Sequence, residues 1–170
     1  GVKGGDRGSI AVLNRMTLDY EFFWYGWTPP EQLAVYAWWL HQWYNRSEII
    51  PEFNNHGYTV VNTLKNLGVE EFLWRRPASM EDPNAIETER VGYLTSSKTR
   101  HPLFNGMREY VRNAGNPKLK HMSGRIEDPE FVREMLGMIY DEDRIDHQPN
   151  TRDDVVAAAA LALFGHRGSE

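Results

Sequence analysis

The apolar positions alternate in the first part of the chain and recur at helical spacing further along. Gly1–Gly8 carries four glycines and reads as a loop. Ser9–Met16, with Ile10 and Val12, and the aromatic run Asp19–Trp27 then predict two strands. Thr17–Leu18 is a short connection, so an antiparallel hairpin is expected. Thr28-Pro29-Pro30-Glu31 predicts a helix start, with Thr28 as cap, Pro29 at the first helical position and Glu31 closing a capping box. Leu33, Tyr36, Ala37, Leu40 and Trp43 or Tyr44 follow at helical spacing, and Trp38 and Trp39 widen the apolar face toward a well-buried helix. Short strands are expected at Glu48–Phe53 and Glu71–Trp74, separated by a helix over His56–Leu67 that stops at Gly68.

Residues 76–90 are polar with two prolines and read as an exposed loop or long hairpin arm, followed by a short strand at Gly92–Thr95. Thr99–Asn113 predicts a helix with Leu103, Met107, Tyr110 and Val111 inward, and Asn116–Arg125 a basic loop. Asp128-Pro129 opens another helix with Phe131, Met135, Leu136 and Ile139 on one face. Asp141–Asn150 reads as acidic and irregular, and Thr151 as the cap of a last helix running to Phe164. Strands first, βα units in the middle and helices last predict a single mixed α/β domain around one sheet.

Composition narrows the classes. At 170 residues, 41% hydrophobic and 25% charged, the chain can bury a core and is not a disordered tract. No apolar run approaches the ~18 residues of a spanning helix, and no charged leader precedes an apolar segment. Cysteine is absent, which excludes disulfides, iron–sulfur clusters, zinc–cysteine sites and a thiol nucleophile. The net charge of −5 hides a strong asymmetry. Lys98, Arg100, Arg108, Arg112, Lys118, Lys120 and Arg125 oppose only Glu109 over residues 98–125, whereas residues 126–148 hold eight acids against Arg133 and Arg144. Such segments are either solvated faces or, for the first, a basic strip that follows a phosphate backbone.

The candidate chemistry lies in carboxylates. Asp153-Asp154 opens the last helix; acids there suit the helix dipole, and Thr151 with Asp154 makes a capping pair. Glu52, in Pro51-Glu52-Phe53-Asn54-Asn55-His56-Gly57, sits at a strand end before a helix, where sites gather in α/β sheets, or is a plain solvent-exposed strand end. Asp6 lies in the opening glycine loop, whose residues are also ordinary loop formers. The chain has no phosphate-binding glycine motif, no G-x-S-x-G elbow, and no zinc-ligand spacing among its six histidines. Carboxylates from separate elements make hard oxygen sites suited to Mg²⁺ or Mn²⁺.

Four blocks in order resemble the C-terminal nuclease domain of the large terminase subunit of tailed bacteriophages. They are Gly1-Val2-Lys3-Gly4-Gly5-Asp6 with Ser9-Ile10-Ala11-Val12, the Pro51–Gly57 block as E-x-N-x-x-G, Gly92-Tyr93-Leu94-Thr95 with Thr99-Arg100, and Asp153-Asp154-Val155-Val156-Ala157 as D-D-x-V-x-A. The resemblance implies an RNase H-like α/β fold, with a mixed central sheet flanked by helices. It implies a metal-dependent endodeoxyribonuclease that cuts concatemeric double-stranded viral DNA during packaging. It makes Glu52 and Asp153 metal acids, with Asp154 beside them and Asp6 nearby, so the Asp pair turns from capping alone toward metal binding. Mg²⁺ or Mn²⁺, portal protein, small terminase subunit and a host-cell cytoplasmic setting without membrane are implied as well.

Lys98, Arg100, Lys118, Lys120, Arg125 and Arg152 are the expected DNA contacts; Arg152 stands where the family often has histidine. The family's first catalytic aspartate precedes the glycine loop, so that acid, its strand and the ATPase half are expected to be missing from residues 1–170. The alternatives are a non-catalytic DNA-binding or portal-docking module, and another RNase H-like nuclease such as a resolvase or transposase.

Overall fold

The computed structural model describes residues 7–54, 56–80, 82, 84–141 and 144–167. The chain is mixed α/β; the described residues form five helices and three two-stranded sheets, where the sequence predicts one sheet. It divides into two compact units: one draws on Trp27–Thr95, the other on Ser9–Gly26 and the chain from Ser96 onward.

In the first unit, helix α1 (Pro30–Trp43) packs on α2 (Gly57–Asn66). Ala34, Val61, Leu64, Val69, Leu73 and Val91 form its core, with Trp38, Ile49, Phe53 and Phe72 against it. Thr28 is not the cap of α1. Pro29 takes the N-cap place without a side-chain bond, and its carbonyl accepts from Gln32 and Leu33. Nor is α1 well buried: Trp39 is 55% and Trp43 82% exposed, and only Ala34 and His41 are fully enclosed. The aromatic run encircles the helix, while a single face meets α2.

The predicted strand at Glu48–Phe53 survives only as parallel bridges of Ile49 to Leu73 and Glu52 to Tyr93. Pro51 between them has no N–H to continue a ladder. Its carbonyl still accepts from Tyr93 at 2.8 Å, and Phe53 N–H donates to Tyr93 at 2.7 Å. Half of Glu71–Trp74, Glu71 and Phe72, coils into a 3-10 turn, Glu70–Phe72, leaving only Leu73 bridged. Strands β3 (Arg75–Pro77) and β4 (Glu87–Val91) pair antiparallel, which settles the 76–90 segment as a hairpin arm.

The second unit takes up, from Ser9 to Gly26, most of the hairpin of β1 (Arg7–Leu13) and β2 (Tyr20–Trp27), paired across a turn in which Leu18 takes φ 62°. Helix α3 (Ser97–Ala114) starts two residues earlier than predicted, because Ser96 and Thr99 form a reciprocal capping box. Its Leu103, Phe104, Met107 and Tyr110 are buried, whereas Val111 turns outward. It packs on α5 (Asp154–Arg167), whose small Ala159 and Ala160 are buried.

Helix α4 (Pro129–Leu136) begins as expected, with Asp128 Oδ1 accepting from Phe131 N at 2.8 Å. Leu136 is 79% exposed and Ile139 lies outside the helix, so the predicted apolar face ends early at Gly137. Its inner face carries Phe131 and, three residues on, Glu134. The segment read as irregular is a second surprise. Strands β5 (Met138–Asp141) and β6 (Arg144–His147) pair antiparallel, with Met138 opposite His147 and Tyr140 opposite Ile145.

Candidate functional site

The start of α5 brings together several charged groups named by the sequence: Asp153, Asp154, Arg100 and Arg152. The Asp153 carbonyl accepts from Ala157 N at 2.8 Å, which places Asp153 at the N-cap position and Asp154 in the first turn. Neither Thr151 nor Asp153 supplies the side-chain cap. Thr151 Oγ1 donates to the Gln148 carbonyl at 2.7 Å instead. The amides of Val155 and Val156 donate to Glu134 Oε2 of α4, at 2.7 and 3.0 Å. The helix dipole and its unpaired amides are therefore met by a buried carboxylate from a neighbouring helix.

Asp153 forms an ion pair with Arg100 of α3. The Arg100 guanidinium is fixed from two further sides, donating to the Ile145 carbonyl at 3.2 Å and lying 4.4 Å from the Phe104 ring centroid. Arg152 Nη1 is 3.8 Å from Asp154 Oδ2, and Ser9 Oγ donates to the Asp154 carbonyl at 2.6 Å. An open cleft of about 450 Å³ lies here, lined by His147, Asn150, Thr151, Arg152, Asp153 and Asp154. A cleft with paired acids and flanking arginines can hold a cation at the acids, or a phosphate ester at the arginines.

Glu52 lies in the other unit. It is exposed at the surface, and its Oε1 accepts from Asn54 Nδ2 at 3.0 Å; the same amide donates to the Thr95 carbonyl at 3.3 Å. Two glycines hold this segment. A Cβ on Gly57 would come 2.0 Å from the Glu52 carbonyl oxygen. Gly92 has φ +88°, and a Cβ there would stand 3.0 Å from the Pro51 carbonyl. The E-x-N-x-x-G block is thus a built turn in which Asn54 braces the acid. Asp6 lies outside the described residues.

The basic residues divide into two groups. Lys98, Lys118 and Lys120 are exposed, as is Arg112. Arg100 is drawn inward as above, and Arg108 lies 4.8 Å from the Tyr140 ring centroid. Arg125 is exposed, 3.7 Å from Glu127, while its backbone N–H is tied to Asp19 Oδ1.

Among the described residues, no three His, Asp or Glu side chains converge to hold a metal ion. The carboxylates have the right oxygen chemistry for Mg²⁺ or Mn²⁺, but the described residues do not complete a donor set, and Asp153 is already compensated by Arg100. No helix among the described residues is long and apolar enough to cross a membrane. Sequence reasoning missed Glu134, although its place three residues after Phe131, on the inward side of an amphipathic helix, was a signal. Comparison with protein-family models, with curated proteins and with solved structures finds no match.

Proposed function

We propose that this chain is the nuclease domain of a large terminase subunit, a metal-dependent endonuclease that cleaves concatemeric double-stranded viral DNA during packaging. The observation that carries the reading is the Asp153-Asp154 pair of the D-D-x-V-x-A block, at the start of α5 on an open cleft. The braced Glu52 turn and the exposed lysines along residues 98–120 support it. The reading carries with it an RNase H-like arrangement, Mg²⁺ or Mn²⁺ as cofactor, portal protein and small terminase subunit as partners, and the host-cell cytoplasm as setting. Glu52, Asp153, Asp154 and Asp6 are its acids. Lys98, Arg100, Lys118, Lys120, Arg125 and Arg152 are its DNA contacts, holding phosphates without reading bases.

The test is plasmid cleavage in Mn²⁺ by this chain and by a version extended upstream, each compared with Glu52→Ala and Asp153→Ala. Cutting that falls to background in both variants is the expected result. Cutting by the extended version alone would place a needed acid upstream. A second reading, a non-catalytic DNA-binding or portal-docking module, is favoured by the Arg100–Asp153 ion pair, which neutralises a key acid. No cleavage by either folded version would overturn the nuclease reading in favour of that module. A marked preference for branched over linear DNA would instead favour a resolvase-like enzyme.

A further inference from the structure

We propose that Glu134 is a positioning residue: it takes over the capping of α5, and so leaves the Asp153 carboxylate facing Arg100 and the cleft. Aspartate is among the best N-cap residues, because its side chain turns inward to accept from the second and third amides of the helix. Asp153 occupies that place, and its carbonyl already accepts the first helical bond from Ala157. The amides it would ordinarily cap are those of Val155 and Val156, and Glu134 Oε2 holds both.

Glu134 is only 3% exposed. A carboxylate so far removed from water needs strong donors, and the α5 amides with the positive end of the helix dipole provide them. Its place is set by α4, whose start is pinned by the Asp128 cap and Pro129, with Phe131 packed one turn before. With the amides satisfied from outside, Asp153 is free to pair with Arg100, which is itself anchored on the Ile145 carbonyl and the Phe104 ring. Two acids have thus exchanged roles: the distant one caps, and the local one is presented. The consequence for cleavage rests on the nuclease reading; the positioning itself does not.

The test uses the full chain with Glu134→Ala, Glu134→Gln and Asp153→Asn, followed by NMR and by cleavage in Mn²⁺. In Glu134→Ala, Asp153 is expected to swing inward and cap its own helix. The Arg100 Nη–H resonances should then move to their positions in Asp153→Asn. Glutamine keeps a neutral acceptor oxygen, so Glu134→Gln should leave those resonances in place and speed Val155 and Val156 amide exchange about tenfold, the difference between a charged and a neutral acceptor.

Arg100 Nη–H resonances unmoved in Glu134→Ala would overturn the proposal. If the alanine variant does not fold, unchanged Val155 and Val156 exchange in Glu134→Gln would do the same. Cleavage lost in Glu134→Ala and restored in Glu134→Gln is the expected functional result. A wild-type chain that cuts nothing, yet shows the NMR responses, would remove the nuclease reading and leave the positioning role standing.

Discussion

Tyr110 shows how a polar atom is accommodated in the apolar centre of the second unit. The side chain is 1% exposed, packs edge-on to Tyr20, and donates its hydroxyl to the Leu18 carbonyl at 2.6 Å. Burial pushes the phenol up from its ordinary value of 10.0 to about 12. The folded chain therefore holds this proton more tightly than the unfolded chain. The stability this contributes is complete below pH ~10 and is lost as pH rises from ~10 toward ~12. Alkaline unfolding followed by phenolate absorbance and circular dichroism should show that loss. Tyr110→Phe should flatten the alkaline limb, at the expense of about 1 kcal/mol at neutral pH for the hydroxyl bond. An alkaline limb identical in the variant would assign the titration elsewhere.

Elements differ in how much of their cause is local. Helix α4 is specified by neighbours in sequence: Asp128 caps Phe131, Pro129 fits the first turn, and Gly137 follows the end. Asp128→Ala should lower stability by about 1 kcal/mol in denaturant titration. Thr28→Ala should change nothing measurable, because the cap position belongs to Pro29. The same contrast explains what was legible. Helices α2, α3 and α4 were readable to within two or three residues at their starts, because capping residues and spacing act over a single turn. The β5–β6 hairpin was not, since the alternation of Ile139, Tyr140 and Ile145 is interrupted by acids that local reading assigns to a loop. The single sheet failed where Pro51 and the 3-10 turn at Glu70–Phe72 interrupt the pairing. At the site, Asp153-Asp154 and the Glu52 block were legible as motifs. Arg100 as the partner of Asp153, and Glu134 as the acceptor for the Val155 amide, were not, because they arrive from 53 and 21 residues away.

Across the whole molecule, charge is distributed more selectively than the count along the chain suggests. Several acids of residues 126–148 are committed internally or locally: Asp128 caps α4, Glu134 caps α5, Glu130 pairs with Arg133, and Glu127 stands by Arg125. Two of the seven bases of residues 98–125 also have partners within the chain, the part-buried Arg100 against Asp153 and the exposed Arg108 over the Tyr140 ring. Any phosphate reaching Arg100 must compete with a carboxylate, whereas Lys118 and Lys120 stand exposed around the 3-10 turn Lys120–Met122. Each phosphate neutralised releases condensed counterions, so the logarithm of duplex affinity falls against that of salt with a slope of about −0.9 per contact. If both lysines meet the backbone, Lys118→Ala combined with Lys120→Ala should weaken binding and reduce the slope by about 2, equally on unrelated sequences. Lys65, which holds Glu70 at 2.7 Å in the other unit, provides the control: Lys65→Ala should leave the slope unchanged. The measurement is fluorescence anisotropy of a labelled duplex over a salt series without divalent metal, so that binding is read apart from cleavage. An unchanged slope in the double variant would exclude these lysines from the proposed DNA contact.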